Sequence, residues 1–426
     1  MHRQFERLRP AALAIILSTL LGGALADDWN QFRGPGGSGR YEGSEPLPIE
    51  WGPESDFLWT ARLPGRGASS PSVFEDAVVV TAYEGYGLDA EAPGQPDELR
   101  LHVLCFDRSN GSLRWTLTRP GTENTPKATP RRVDHGYATP TAYCDRTGVY
   151  VYFGVNGLVA IDWDGTERWS RLRGTQTKGF GTATSPVRFG TVVIQNHSIE
   201  GGPLAAYDIA TGDEVWTADE IVSAWSTPGL FENDRGETEL VISHKNLVRG
   251  FAPETGRELW RCEGVDDYTV PVIVGHGGVI WCFGGRQNRC IRIRLGGRGD
   301  ITGSHRDWVV TTGANVTSPV LHEGKLFNVH DKALWLVMDA ETGETLAKSR
   351  LPYRERVYPS VVYGDGRLYA QTRDAGLLVL APTVEYTELA RNLLEPDTLW
   401  NAGPALAGGV IYLRSDSRLY AIGSQD

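Results

Sequence analysis

One short turn sequence recurs along this chain and constrains the fold more than any other feature. In "DIATGDEVW", Asp208 to Trp216, an apolar run ends in a turn rich in Asp, Thr and Gly, and Trp follows four positions after the Gly. Glycine supplies positive φ, and apolar residues flank the turn, which is typical of a β-hairpin. Each copy therefore predicts a tight turn between two strands. The other copies are "DRSNGSLRW" (Asp107 to Trp115), "DWDGTERW" (Asp162 to Trp169), "APETGRELW" (Ala252 to Trp260) and the degraded "DAETGETLA" (Asp339 to Ala347).

A second marker repeats in register with these turns, a Pro that mostly follows Ser or Thr and precedes an apolar stretch. Because proline cannot donate a hydrogen bond to a sheet, it belongs at the first residue of a strand. Successive copies lie 69, 46, 42, 43, 48, 40 and 45 residues apart, which is the length of four short strands with their turns. This period is typical of propeller blades. The eight prolines are Pro71, Pro140, Pro186, Pro228, Pro271, Pro319, Pro359 and Pro404.

The order of the two markers predicts how the ring closes. The series begins with a Trp marker at Trp59 and ends with a Pro marker at Pro404, so the N-terminal strand would complete the last blade. The sequence therefore predicts an all-β, eight-bladed propeller of four-stranded antiparallel blades over residues 57–426. The helix-like stretch Glu385 to Leu394 is interpreted as strand and loop. The Trp markers are Trp59, Trp115, Trp169, Trp216, Trp260 and Trp308, followed by Ala347 and Leu389 where Trp is replaced.

The first 26 residues have the pattern of a secretory signal peptide. Three arginines precede a short apolar run, and small residues end at Ala26, where we expect cleavage. The run is too short for a membrane-spanning helix, and no Cys follows the cleavage site to carry a lipid anchor. We expect a leader segment at 27–56 and an exported, soluble, monomeric mature chain in the periplasm or outside the cell, without a transmembrane segment.

Charge argues against one class of partner. Cleavage would remove Arg3, Arg7, Arg9 and Glu6, leaving 39 basic and 52 acidic residues. An acidic surface repels phosphate backbones. Nucleic acid is therefore not expected as a partner.

Five cysteines reach an oxidising destination under this interpretation. Cys282 and Cys290 lie on facing strands of an expected hairpin, so a disulfide would form if the register brings them together. The alternative is that both are small buried hydrophobic residues.

The turn sequence, the Ser/Thr-Pro starts and the segment "DWNQFRGPGGSG", Asp28 to Gly39, resemble the PQQ-like β-propeller repeat family. That family includes the eight-bladed assembly factor BamB and the propellers of quinoprotein alcohol dehydrogenases, and the segment resembles exported planctomycete members. The resemblance implies that the repeat Trp docks between neighbouring blades. This structural role falls on Trp59, Trp115, Trp169, Trp216, Trp260 and Trp308.

Binding residues are expected where the loops before each inner-strand Pro face the mouth of the channel. Three positions before the Pro, the residue type varies among aromatic, cationic, amide and small residues. A ring of aromatic and polar groups could bind a flat ligand or an extended peptide, or could only pack the channel. The positions are Ala68, Tyr137, Ala183, Trp225, Tyr268, Val316, Arg356 and Asn401, with His135, Lys178, Phe180, Tyr358 and Trp400 as neighbours.

These features favour a non-catalytic binding scaffold, with BamB-like assembly of envelope proteins as the leading function that the resemblance implies. Its partner would be an envelope protein or a small ligand in the channel. The alternative is an oxidoreductase that uses PQQ with calcium. In that branch of the family many members carry a vicinal Cys pair beside the quinone, and no two cysteines are adjacent here. No catalytic residue, metal ligand or cofactor is predicted, and the histidines lack the paired spacing of a zinc site.

Overall fold

The computed structural model describes residues 28–52, 57–353, 356–374, 376–394 and 398–423. The predicted signal peptide, 1–26, lies outside these residues. They form eight antiparallel sheets of four main strands each, which confirms the eight-bladed propeller. Other regular structure in this part of the chain is short, with 3-10 turns at Pro35–Gly37, Pro96–Glu98 and Gly154–Asn156 and one α-helical turn at Pro130–Val133.

The blades follow one another along the chain, each running from an inner strand at the channel to an outer strand. Blade 1 comprises Ser72–Phe74, Ala77–Glu84, Arg100–Asp107 and Leu113–Pro120, and blade 2 comprises Tyr143–Asp145, Gly148–Tyr152, Leu158–Ile161 and Glu167–Arg171. Blade 3 comprises Val187–Phe189, Val192–Asn196, Leu204–Asp208 and Glu214–Ala218, and blade 4 comprises Gly229–Glu232, Thr238–His244, Leu247–Phe251 and Glu258–Glu263. Blade 5 comprises Val274–His276, Val279–Gly284, Arg289–Arg294 and Arg306–Val310, and blade 6 comprises Val320–His322, Lys325–His330, Leu334–Asp339 and Thr345–Arg350. Blade 7 comprises Val362–Gly364, Arg367–Gln371, Leu377–Leu380 and Glu388–Asn392, and blade 8 comprises Ala405–Ala407, Val410–Arg414, Arg418–Ile422 and Phe57–Arg62.

The closure of the ring is as predicted. The N-terminal strand Phe57–Arg62 pairs antiparallel with Arg418–Ile422, with Thr60 opposite Tyr420. The first strand of the described propeller is thus the outer strand of blade 8. The stretch that resembled a helix contains the outer strand of blade 7, Glu388–Asn392.

The repeated turn and the repeated Trp are contact partners across neighbouring blades. The indole of Trp169 lies so close to Gly212 that a Cβ at that glycine would come within 2.6 Å of the ring. Its Nε1 donates to the carbonyl of Ile209 at 3.0 Å, in the same turn. The repeat glycine is therefore required both for positive φ and for the close approach of an indole. The same arrangement joins Trp59 to Gly111, Trp115 to Gly165, Trp216 to Gly256 and Trp308 to Gly343.

Trp260 departs from this pattern. Its Nε1 donates to Glu239 of its own blade at 2.6 Å, and its ring lies over Gly250 of the neighbouring strand. The corresponding turn of blade 5 is an insertion, and its short strand Gly299–Asp300 pairs in parallel with the outer strand of blade 4. The seam between blades 4 and 5 is thus covered by added chain.

The prediction of a disulfide between Cys282 and Cys290 is wrong, because both thiols are free. Cys282 lies opposite Ile291, and Cys290 lies opposite Phe283. The two cysteines therefore point to opposite faces of the sheet. Each is fully buried in a different hydrophobic cluster, as in the alternative interpretation.

The leader, residues 28–52, crosses the lower end of the channel. Asn30 donates from its side chain to the carbonyl of Cys144 in blade 2 at 2.9 Å. Three residues later, the guanidinium of Arg33 donates to the carbonyl of Pro319 in blade 6, on the opposite side of the ring, at 2.7 Å. The intervening chain passes under the channel, and a cavity of about 300 Å³ remains between this chain and blades 2 to 5.

The leader segment is tightly packed. Gly34 and Gly39 have positive φ, and a Cβ at either would come within 2.6 Å of Trp29 or 2.3 Å of Arg33, respectively. Trp29 is fully buried and Arg33 is 3% exposed. Burial lowers the pKa of Arg33 to about 9. The glycines of "FRGPGGSG" thus make room for the large side chains that anchor the leader.

Candidate functional site at the channel mouth

A ring of hydroxyl groups surrounds the channel just before the inner strands. The backbone N–H of Ser185 donates to the hydroxyl of Thr227 in the next blade at 2.9 Å, and the N–H of Ser318 donates likewise to Ser360 at 2.9 Å. Equivalent bonds join Ser70 to Thr141, Thr141 to Ser185, Val272 to Ser318 and Gly403 to Ser70. Val272 and Gly403 carry no hydroxyl, so they donate to the ring without accepting from it. In blades 1, 3, 4 and 6 the hydroxyl comes from the Ser or Thr before the marker Pro, and in blades 2 and 7 it comes from the residue after that Pro.

This ring corrects the register of the predicted mouth residues. In blades 2, 5 and 7 the marker Pro lies three residues before the inner strand, whereas elsewhere it lies immediately before it. Counting three positions back from Pro therefore goes two residues too far in those blades. The equivalent residues that line the cavity above the ring are Ala68, Thr139, Ala183, Trp225, Val270, Val316, Tyr358 and Asn401.

The mouth contains a cavity of about 180 Å³, here called the well, whose lining is mainly apolar. Its aromatic rings form a chain of edge and tilted contacts. Centroid distances are 5.4 Å from Tyr358 to His135, 5.6 Å from His135 to Phe180, 5.7 Å from Phe180 to Tyr268 and 5.7 Å from Tyr268 to Trp225. All five rings are half-buried. They can therefore take up further apolar surface.

Of the ten aromatic, charged or amide residues predicted at the mouth, six line the well together and four do not. Tyr137 is 8% exposed and packs on Tyr83 with its hydroxyl bonded to a carbonyl, while Trp400 is 3% exposed beside Tyr420. Both are core residues, which corrects their assignment to the mouth. Lys178 is exposed but outside the lining of the well, and Arg356 lies in an adjoining groove. The six in the well are His135, Phe180, Trp225, Tyr268, Tyr358 and Asn401.

Tyr268 has an unusual backbone. Its φ is 79°, a conformation that is costly for a bulky residue. Its ring packs between Phe180 and Trp225, and the guanidinium of Arg286 lies 5.6 Å from its centroid. Such strain persists where surrounding contacts hold it, and it concentrates at functional sites.

The loop between blades 1 and 2 supports one wall of the well. The connection between blades 1 and 2 carries the short helix Pro130–Val133, and Asp134 follows it. Asp134 forms an ion pair with Arg373 of blade 7. Its carbonyl accepts from the amide of Asn401 at 3.0 Å, and Arg373 donates to that amide's oxygen at 3.0 Å. Asn401 is thus held by a polar network, which the sequence pattern did not indicate.

A buried carboxyl lies behind the opposite wall. Glu200 accepts from Thr182, a residue of the well lining, at 2.5 Å. Its burial raises the pKa of the carboxyl to about 7. Nearby, His197 contacts the hydroxyls of Tyr152 and Tyr207 at 2.9 and 3.1 Å, and burial lowers the pKa of His197 to about 3.

The well continues sideways into a groove of about 900 Å³ over blades 6 and 7. Phe180, Tyr268 and Tyr358 line both cavities. The groove adds charged residues that the marker-based prediction missed, among them Asp331, Lys332 and Arg350. Asp331 and Lys332 follow the second strand of blade 6, and Arg350 ends its outer strand, positions where neither repeat marker occurs.

The lining of the well does not offer the set of ligands that calcium requires. Calcium requires several oxygen ligands, with carboxylates prominent among them. Within the described residues, no group of three or more His, Cys, Asp or Glu side chains could hold a metal ion. Around the well, the carboxylate of Asp134 is paired with Arg373, and the amide of Asn401 is engaged by the same arginine.

Comparisons with known proteins agree with the architecture. A family model described as outer membrane protein assembly factor BamB matches residues 58–224 and 244–426. The solved structure of BamB from Moraxella catarrhalis is similar with a TM-score of 0.58 at 12% identity, over 86% of this chain and 96% of that one. The quinohemoprotein alcohol dehydrogenase from Comamonas testosteroni gives a TM-score of 0.64 at 12% identity, over 95% and 82%.

A designed protein, Ika8, is also similar, with a TM-score of 0.56 at 14% identity over 86% of this chain and all of its own. At these identities the structural likeness shows the fold alone. No curated protein matches the chain in sequence. Among the described residues, no helix has both the length and the apolar character needed to span a membrane.

Proposed function

Because the chain belongs to the family of outer membrane protein assembly factor BamB, we propose that it is an exported, non-catalytic scaffold whose channel mouth binds a protein partner in the cell envelope. The observation that carries this proposal is the difference between the channel's ends. The leader occupies the lower end, while the mouth presents half-buried aromatic rings on a rigid ring of blades. Such rings are typical of binding surfaces.

A pull-down from envelope extract of the source cells tests this proposal. The tagged mature chain is compared with Tyr268→Gly, which removes a central ring of the well. Glu323→Gly is the matched control, because Glu323 also has positive φ, at 45°, in the turn between the first two strands of blade 6. We expect partner capture from the wild type and the control and its loss from Tyr268→Gly. Capture that survives in Tyr268→Gly would contradict the proposal.

The redox alternative has its own outcome. Purified protein is mixed with PQQ and calcium, and absorbance and dye reduction are followed. We expect neither a spectral change nor turnover, because the described lining offers no carboxylate cluster for the metal. Alcohol-dependent dye reduction would replace the scaffold proposal with an enzyme.

A further inference from the structure

We propose that the mouth recognises an extended acidic peptide segment of its partner, with one aromatic side chain in the well and carboxylates against a set of unpaired cations. This inference rests on the proposed function and names the chemistry of the partner. It comes from the positions of cations around the well and the groove.

Exposed cations without a carboxylate partner surround the well and the groove. Most arginines near acidic residues on the blades form ion pairs, such as Arg292 with Asp307 or Arg249 with Glu258. Around the mouth, five exposed cations have no carboxylate within 4.0 Å among the described residues, namely Arg131, Arg286, Lys332, Arg350 and Arg356. On a chain with a formal net charge of −11, such a cluster favours an anionic partner.

Two of these cations are fixed directly beside the aromatic walls. The guanidinium of Arg131 lies 5.7 Å from the centroid of Phe180, and that of Arg286 lies 5.6 Å from the centroid of Tyr268. Stacking on a ring restricts a guanidinium while leaving its N–H groups free to bind a carboxylate. A ligand with an apolar ring flanked by carboxylates would therefore contact both kinds of group at once.

Several acidic groups also lie at the mouth. Asp134 pairs with Arg373, and His330 lies 2.9 Å from the carboxylate of Asp331. Asp266 and Asp267 accept backbone N–H groups, from Arg286 at 3.2 Å and from Tyr268 at 3.0 Å, respectively. These carboxylates keep their negative charge, but within the described residues none of them lies within 4.0 Å of the five cationic groups.

The shape of the site favours a peptide over a polysaccharide. The well is small, at about 180 Å³, and mainly apolar, which suits one aromatic side chain better than a sugar ring with its hydroxyls. The groove, at about 900 Å³, opens from the well past Tyr268 and Tyr358 and carries Lys332. An extended backbone can follow it while its acidic side chains meet the cations.

Fluorescence anisotropy with defined peptides tests the inference on the mature chain. The probe is a labelled short peptide of Asp and Glu residues around one central Phe. It is compared with the same peptide carrying Ala for Phe, and with one carrying Lys for every acidic residue. We expect binding of the probe at low salt, about tenfold weaker binding of the Ala peptide, and none of the Lys peptide.

Charge reversal in the protein provides the matched comparison. Arg131→Glu combined with Arg286→Glu should weaken the probe about tenfold or more, since two attractions become repulsions. Arg257→Glu, an exposed arginine in the turn of blade 4, is the control and should bind like the wild type. Equal binding of the Lys peptide, or an unchanged affinity after the double reversal, would overturn the inference.

Three further outcomes bear on this inference and on the proposed function. If envelope capture depends on Tyr268 but the acidic probe does not bind, the acidic-peptide inference is wrong and the scaffold proposal stands. If a polyuronate oligosaccharide binds tighter than any peptide and depends on the same arginines, the ligand is a polysaccharide and the peptide inference is overturned. If neither capture nor probe binding depends on the mouth, both proposals fail.

Discussion

The two ends of the channel are built from similar residue types that are used in opposite ways. At the lower end Trp29 and Arg33 are buried, and the arginine donates to carbonyls of two blades. Arg33 also belongs to the lining of the well, so the leader closes the well from below. At the mouth Trp225 and Tyr268 are half-buried, and Arg286 stacks on a ring without a carboxylate partner among the described residues. Trp29 and Arg33 are thus packed as in a protein core, while a cavity of about 300 Å³ lies between other leader residues and blades 2 to 5. The rings and cations of the mouth are only partly covered.

The largest expected effect is at the lower end. Trp29→Ala removes a fully buried indole, and such truncations cost about 3–5 kcal/mol of unfolding free energy. Urea unfolding of the mature chain measures it, and Phe180→Ala at the mouth, where the ring is half-buried, serves as the comparison and should cost clearly less. Equal losses of unfolding free energy in the two variants would contradict the difference in packing between the two ends of the channel.

The next effect concerns the wall of the well and depends on pH. Burial raises the pKa of Glu200 from 4.5 to about 7, so the folded state favours the neutral carboxyl. Its contribution to stability is full below about pH 4.5 and is lost as the pH rises through about 7. Glu200→Gln, which is always neutral, should therefore be more stable than the wild type above pH 7, by about 3 kcal/mol at most.

Melting temperatures of the wild type and Glu200→Gln from pH 4 to 8 measure this difference. His197 acts in the opposite direction, because burial lowers its pKa to about 3 and its contribution is lost as the pH falls from about 6.5. It is present in both proteins, so the difference between them isolates Glu200. A gap that stays constant across the whole range would contradict the buried titrating carboxyl.

A pair of reciprocal substitutions sharpens the comparison of the two ends. Gly34→Ala places a Cβ within 2.6 Å of Trp29 at a φ of 68°, and should cost about 1–3 kcal/mol. Tyr268→Gly relieves a φ of 79°, so the fold should lose little or gain up to about 1 kcal/mol while binding is lost. Thermal unfolding of both variants tests the pair, and a large loss of stability in Tyr268→Gly would mean that its ring serves the core.

The smallest effect is expected for the mouth cations. Arg131→Glu changes an exposed side chain without an ion pair in the described chain, and should alter the unfolding free energy by less than about 0.5 kcal/mol. Chemical denaturation checks this value. A larger loss would assign Arg131 a structural role and weaken its use as a binding residue.

The sequence predicts the ring better than it predicts the ends. Blade number, strand order and closure at Trp59 follow from local markers, because each repeat is one hairpin unit whose turn chemistry is visible in the chain. Pro140, Pro271 and Pro359 lie two residues further from their inner strands than the other marker prolines, so the mouth positions predicted from them are two residues too early. Proline fixes a local conformation and does not fix the strand register. The one-residue stagger that separates Cys282 from Cys290 is equally invisible locally.

Contacts between distant segments account for the rest. The passage of the leader under the channel depends on the hydrogen bond from Arg33 to blade 6, across a separation of 286 residues. The support of Asn401 by Asp134 spans 267 residues. Neither contact follows from a repeated sequence pattern. The glycines around Arg33 are the one local sign of close packing in the leader.

Site-directed photo-crosslinking tests the central claim most directly. A photoreactive amino acid is installed in place of Lys332 beside the well or, separately, in place of Glu42 in the leader, two positions whose side chains are exposed. After irradiation in envelope extract, we predict covalent partner adducts from the position of Lys332 and none from that of Glu42. Adducts from the lower end alone would contradict the assignment of binding to the mouth.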